Sequence, residues 1–260
     1  MTILDKIVER KKTEVAEAKT KIPLEKLENY PLFKRSCYVL RDSILHPERT
    51  GIIAEYKRAS PSKGLINGVS SVTEVVSGYQ AAGASAISVL TDTDFFKGTL
   101  DDLTEARKAL TIPLLRKEFI VDKYQIAEAK AYGADIILLI AACLTTEEIL
   151  DFSTYAKQLG LNVLLEVHNE EELNRSIFDT IDAIGVNNRN LKDFSVSLDH
   201  SYDLVNKIPS QYIKVSESGI SDPETIKNLK KAGFQAFLIG ENFMKTEDPS
   251  VAISNFVKEL

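Results

Sequence analysis

The stretch GIIAEYKRASPSKG, residues 51–64, starts as an apolar run and ends in charge: Glu55, Lys57 and Arg58 precede a loop of Ser, Pro, Lys and Gly. In an extended strand, side chains two apart share one face, so Glu55 and Lys57 point the same way as Ile53. Desolvating a carboxylate or an ammonium costs on the order of several kcal/mol unless the charges pair. The same ending recurs along the chain. IPLLRKEF closes in Arg116, Lys117 and Glu118; NVLLEVH in Glu166 and His168; DAIGVNNRN in Asn187, Asn188 and Arg189; IKVSESG in Ser216, Glu217 and Ser218. A lysine among carboxylates in a dry pocket can serve as a proton donor with a tuned pKa. The structural alternative is a ring of salt bridges that plugs the space, which apolar side chains fill at lower cost.

A second chemistry is phosphate binding. SPSKG supplies hydroxyls and a lysine, while SGI at 218–220 and IGENF at 239–243 place glycine directly after two apolar runs. Backbone N–H groups in such places donate to phosphate oxygens, although a single glycine is more often a turn residue. Glu241 is compatible with a dianion if its backbone N–H donates and its carboxylate points away.

These residues need elements to hold them. β-branched apolar runs occur at 51–57, 85–91, 112–117, 135–141, 162–168, 181–187, 212–216 and 235–240, and amphipathic helical patterns separate them. Thr145 stands three residues before Glu148 as in a capping box, Gly160 ends that helix, Pro223 opens another and Gly233 closes it. Strand and helix alternating eight times in about 210 residues predict parallel strands joined by crossovers, a (β/α)8 TIM barrel. An open doubly wound sheet is disfavoured because no GxGxxG follows the first strand. In such a barrel the strand C-termini carry the active site, and that is where the charges fall. Residues 1–50 lie outside the rhythm and read as a helical extension packed on the barrel, so that 1–260 form one domain.

Composition narrows the function classes. A net charge of −6 argues against a nucleic-acid or anionic-membrane surface. Two distant cysteines, Cys37 and Cys143, imply a reducing compartment rather than a disulfide framework. Three scattered histidines make a histidine-based metal site unexpected, and neither a metal nor an organic cofactor is implied. The N-terminus has no apolar signal core, and IILLIAACL falls well short of the roughly 20 residues of a membrane span. A cytoplasmic protein without a membrane anchor or fused partner domain is expected.

Taken in order, IAEYKRASPSKG, LLRKEFI, GADIILLI, LLEVHN, GVNNRNL, VSESGI and AFLIGE resemble the indole-3-glycerol phosphate synthase family over nearly the whole chain. Two positions depart from its usual pattern: Glu118 where aspartate is common, and Tyr56 where a smaller aliphatic residue is common. Neither is expected to do chemistry, since Tyr56 should face away from the barrel axis. The resemblance implies closure of 1-(2-carboxyphenylamino)-1-deoxyribulose 5-phosphate into an indole ring with loss of CO2 and water. It implies Lys117 as general acid for ring closure, and Glu55, Lys57 and Glu166 as the acids and bases of the later steps, their division left open. By the same resemblance Arg189 holds the anthranilate carboxylate, Asn187 hydrogen-bonds the reacting region, and Phe96 packs on the aromatic ring. Ser60, Ser218, Gly219 and Gly240 are the expected phosphate residues, and His168 a supporting histidine. Two rivals remain: phosphoribosylanthranilate isomerase, whose cysteine base neither Cys37 nor Cys143 is placed to supply, and a non-catalytic phosphate-binding barrel.

Overall fold

The computed structural model describes residues 2–190 and 193–260. Eight parallel strands close into a barrel: β1 (Ile52–Tyr56), β2 (Ala86–Leu90), β3 (Leu114–Lys117), β4 (Ile136–Ile140), β5 (Asn162–Val167), β6 (Ala183–Asn187), β7 (Ile213–Glu217) and β8 (Ala236–Ile239). Closure is set by β1, which pairs with β2 through Ile53↔Ala86 and with β8 through Ile52↔Phe237. That pairing leaves no room for the open-sheet alternative. Each strand lies where the apolar runs predict, with ends displaced by a residue or two.

Among the described residues thirteen α-helices surround the barrel or extend from it: α1 (Ile3–Lys21), α2 (Leu24–Leu27), α3 (Leu40–Ile44), α4 (Val72–Ala81), α5 (Thr93–Phe96), α6 (Leu100–Ala109), α7 (Lys123–Ala131), α8 (Thr146–Gln158), α9 (Glu170–Ser176), α10 (Asp199–Leu204), α11 (Pro223–Ala232), α12 (Glu241–Met244) and α13 (Pro249–Val257). In α4 the buried residues are Val72, Val75, Val76 and Tyr79, a one-sided helical stripe that lies on the sheet. α8 begins with the capping box of Thr145 and Glu148, and Gly160 follows its end at φ +74°. α11 has Pro223 in its first turn and a left-handed Gly233 at its end.

Because helices cover the outside, the strands are buried on both faces and read as continuous apolar runs. Ile52, Ala54 and Tyr56 pack among the helices, while Ile53, Leu115, Ile136, Leu138, Leu164 and Val215 fill the barrel. Tyr56 thus faces outward as expected, its hydroxyl donating to Ser70 O at 2.9 Å.

The N-terminal segment uses both ends of the barrel. α1, about 28 Å long at 1.5 Å per residue, starts over the strand C-termini, where Ile3, Leu4 and Ile7 line the cavity described below. Further along, Val15 packs with Leu27, Tyr124, Ala127 and Ala131, and the Tyr124 hydroxyl donates to Ile22 O at 2.8 Å. At the opposite end, Leu40 and Ile44 of α3 join the barrel interior as a floor. Asp135, fully buried before β4, pins this floor. Its carboxylate accepts from Arg35 (2.7 Å), Arg107 (2.6 Å), Tyr38 N (2.8 Å) and Leu114 N (2.9 Å). Asp135→Ala leaves Arg107 buried without its partner, so equilibrium unfolding in denaturant should show a loss of about 3–5 kcal/mol. A loss below about 1 kcal/mol would mean that the floor is held by packing alone.

Candidate functional site

Of the charges at the strand ends, Glu55, Lys57, Lys117, Glu166, Arg189 and Glu217 meet in one cavity. Lys117 Nζ is 2.6 Å from Glu217 Oε2 and 3.3 Å from Glu166 Oε2. Glu166 accepts from Asn187 Nδ2 at 3.0 Å through its other oxygen, which also lies 3.5 Å from His168 Nε2. Lys57 Nζ donates to Glu55 Oε1 at 2.8 Å, and Ser88 Oγ lies 3.4 Å from Glu55 Oε2. Period-two alternation explains the convergence: Ile53, Leu115, Leu164 and Val215 point inward, so Glu55, Lys117, Glu166 and Glu217 follow them.

Two glycines make room for the carboxylates. A Cβ on Gly185 would overlap Glu217 Oε1, and a Cβ on Gly240 would lie 2.6 Å from Glu55 Oε1. Gly240 is therefore a packing necessity for Glu55 as well as a residue of the expected phosphate corner.

Electrostatics divides the acids. Burial pushes the Glu217 carboxyl up to about 7; Lys117 pulls the other way and Glu166 adds to the rise. Glu217 Oε1 is buried with no hydrogen-bond partner among the described residues. Glu166 is held below the usual carboxylate range, because Lys117, His168 and the Asn187 hydrogen bond outweigh its desolvation. Lys117 is held cationic against burial by Glu217, Glu166 and Glu55, so its pKa is raised. His168 is likewise raised, its desolvation outweighed by the Glu172 hydrogen bond and by the charges of Glu166 and Glu172.

One cavity, of about 170 Å³, adjoins a second of about 530 Å³, and the two share Glu55, Lys57, Arg189 and Ser218 in their walls. Glu55, Lys57, Ser60, Lys117, Glu166 and Asn187 face the first, with Phe96, Arg189 and Ser218. Gly219 and Gly240 face the second, together with Ser62 and Lys63. Ser60 thus belongs to the first cavity, its Oγ 3.5 Å from the Oγ of Ser62, which lines both. Phe96 ends α5 with its ring 6.1 Å from that of Phe119. Arg189 is set by a bond from its backbone N–H to Asn187 Oδ1 at 3.0 Å and donates to Phe194 O at 3.2 Å. The GVNNRNL motif runs into Leu191, outside the described residues.

Ser218 and Gly219 both take left-handed backbone, at φ +68° and +81°. For a serine this conformation costs roughly 1–2 kcal/mol, and Asn188 Nδ2 helps to hold it by donating to Ser218 O at 3.1 Å. Glu241 departs from expectation: its carboxylate leans into the site, 3.7 Å from Lys63 Nζ and 3.9 Å from Arg189 Nη2. Those two cations draw it inward.

Arg116, although adjacent to Lys117, points out of the barrel to Glu128 at 2.7 Å. Glu217, which the sequence shows among the charged strand ends but to which no role was assigned, is placed inward by the alternation from Ile213 and Val215. Sequence reasoning missed Ile3, Leu4 and Ile7, whose approach to the cavity has no local signal.

Paired acids and lysines at the C-terminal mouth of a closed parallel barrel are the arrangement of a TIM-barrel enzyme. The comparisons specify the family. A family model described as Indole-3-glycerol phosphate synthase matches residues 4–256. The curated protein of that name from Bacteroides thetaiotaomicron is 45% identical over 258 residues, covering 99% of this chain and 98% of its own length. The one from Polaromonas sp. is 43% identical, with 97% of each chain covered. This chain belongs to the indole-3-glycerol phosphate synthase family. Among solved structures, a tryptophan synthase complex from Pyrococcus furiosus shares the fold at a TM-score of 0.62 and 17% identity, covering 81% of this chain and 97% of that one.

Because the folded pKa of Glu217 lies above that of an unfolded glutamate, its protonated form favours the folded state. That contribution is complete below the unfolded value of 4.5 and is lost as pH rises through about 7. Relative to Glu217→Gln, the wild type should therefore lose stability between these two pH values. Unfolding free energies measured across the range check this, and a constant difference between the two proteins would contradict the assignment.

Proposed function

We propose that this protein is an indole-3-glycerol phosphate synthase, closing 1-(2-carboxyphenylamino)-1-deoxyribulose 5-phosphate to indole-3-glycerol phosphate with release of CO2 and water in tryptophan biosynthesis. The observation that carries the reading is Lys117, a cationic donor held by two buried carboxylates at the centre of the cavity.

The aromatic carbon bearing the carboxylate attacks the C2′ carbonyl, and Lys117 donates a proton to the oxygen as it becomes an alkoxide. Glu217, titrating near neutrality 2.6 Å away, is the group positioned to reprotonate the amine. Loss of CO2 leaves its bonding electrons in the ring system. The C2′ hydroxyl then leaves as water, with Lys57, already donating to Glu55, as its acid. Glu166 is held ionised, so in the resting site it accepts rather than donates, and it takes a proton from C1′ as the C1′–C2′ double bond forms and the ring nitrogen keeps its hydrogen. Asn187 fixes the Glu166 carboxylate through its 3.0 Å bond.

The aromatic end of the substrate lies against Phe96 with its carboxylate on Arg189, a two-pronged pairing suited to guanidinium. The phosphate sits by Ser218, Gly219 and Gly240 with Lys63 at its rim and displaces the Glu241 carboxylate from Lys63, while Ser60 approaches from the adjoining cavity; the backbone corner after β7 and β8 is a common phosphate site in this fold. The extension works as part of the barrel unit, a reading that the pocket position of Ile3, Leu4 and Ile7 supports. The ligand is a small phosphorylated molecule, with no role for nucleic acid or membrane. Free Cys37 and Cys143 suit a cytoplasmic setting.

Incubation with the carboxyphenylamino-deoxyribulose phosphate, followed by indole absorbance and CO2 release, tests the activity; no turnover would overturn it. Arg189→Ala should raise KM about tenfold or more, the equivalent of a charge-assisted pair of about 1.5–3 kcal/mol, with Arg189→Lys recovering only part. An unchanged KM in Arg189→Ala would remove Arg189 from the carboxylate site.

A further inference from the structure

Besides the half-exposed pairs of Arg10 with Asp94 (2.7 Å) and Lys19 with Asp122 (2.7 Å), α1 is joined to the barrel through one buried ammonium. Lys11, only 3% exposed, has its Nζ 2.8 Å from Asp92 Oδ2, 3.1 Å from Glu118 Oε1 and 2.6 Å from Glu14 of its own helix. Both barrel carboxylates also hold a piece of cavity wall. Asp92 caps α5, its Oδ1 accepting from Phe95 N at 2.7 Å and Phe96 N at 3.3 Å. Glu118, next to Lys117, accepts from Phe119 N at 2.8 Å and from Thr91 Oγ1 at 2.9 Å. On α1, Ile7 and Ile3 lie one and two turns before Lys11 and line the cavity. A single side chain thus connects the roof helix, the Phe96 turn and the strand end that follows Lys117. The corner formed by Ser218, Gly219 and Gly240 shares none of these contacts.

We propose that Lys11 is a positioning residue, setting the apolar wall of Ile3, Ile7, Phe96 and Phe119 against the aromatic end of the substrate without touching substrate itself. This rests on the reading of the cavity given above. An ion pair so deeply buried is a weak source of stability compared with apolar packing. What it supplies is register: the ammonium meets both carboxylates only when α1, α5 and the end of β3 hold one arrangement. Loosening it lets the wall retreat, and small misplacements of binding groups cost reaction efficiency out of proportion to their size.

The test uses the full chain with Lys11→Met, Lys11→Arg and Asp92→Asn, the last keeping a good N-cap on α5. Lys11→Met should raise the KM for substrate about tenfold while kcat stays within about threefold. Inhibition by inorganic phosphate should stay within about twofold, and Lys11→Arg should restore part of the loss. Amide exchange at Phe95 and Phe96 should quicken about tenfold or more as the Asp92 cap loosens. A purely structural strut predicts otherwise: a lower melting temperature, with KM and exchange at Phe95 and Phe96 within about twofold of wild type, and that outcome overturns the proposal. If Lys11→Met does not fold, Asp92→Asn decides, with a KM rise of about threefold expected and a wild-type KM contradicting it. Absence of turnover in the wild type would defeat the proposed activity, whereas exchange at Phe95 and Phe96 would still decide the role of Lys11.

Discussion

The site depends on the way one ammonium is held. Lys117 lies within 3.3 Å of two carboxylates, and all three side chains are largely buried. Alone, a buried lysine would lose its proton and a buried glutamate would gain one. Together they settle unequally: Lys117 stays charged, Glu166 stays ionised, and Glu217 rises to about 7. A strong donor, a fixed acceptor and a carboxyl titrating near neutrality therefore share one small volume. Separation of this kind lets neighbouring groups take acid and base roles at the same pH.

Much of the fold is arranged around that constraint. The eight strands bring β3, β5 and β7 to one mouth although their charged ends are far apart in sequence. Gly185 leaves space for Glu217, and Gly240 leaves space for Glu55, so the carboxylates enter the barrel without displacing its walls. Beneath the charges, Leu115, Leu138, Leu164 and Val215 form an apolar layer. Below that, Asp135 and α3 close the floor. The long N-terminal helix spans between the two ends, contributing Ile3, Leu4 and Ile7 to the mouth and Val15 to the flank of α7.

The barrel and the charged strand ends were legible because they are local. Apolar runs of strand length, helical stripes and caps such as Thr145 with Glu148 are written in short windows, and alternation from Ile53 places Glu55 and Lys57 inward without knowledge of the rest. Glu217 followed the same rule but stood among two serines and a glycine, where a phosphate corner was the more visible reading. The outward turn of Arg116 was settled by Glu128 on the next helix. The inward lean of Glu241 depends on Lys63 and Arg189, two cations that meet only in the folded chain. Lys11 is the extreme case: on its own helix it looks like one more exposed lysine, and only the docking of α1 brings Asp92 and Glu118 around it. Contacts across long sequence separation are what period and propensity cannot encode.

The central claim is that Lys117 acts on the reacting oxygen and is not merely a strut between Glu217 and Glu166. An acid that works as charge develops stabilises the transition state more than bound substrate. Its removal should therefore appear in kcat. Steady-state kinetics of Lys117→Ala, with the affinity for a phosphate-bearing product analogue and the melting temperature measured on the same protein, tests this most directly. The account predicts a fall in kcat of roughly 10²–10⁴ with analogue affinity little changed. A folded variant with a lower melting temperature and kcat within about threefold of wild type would contradict it.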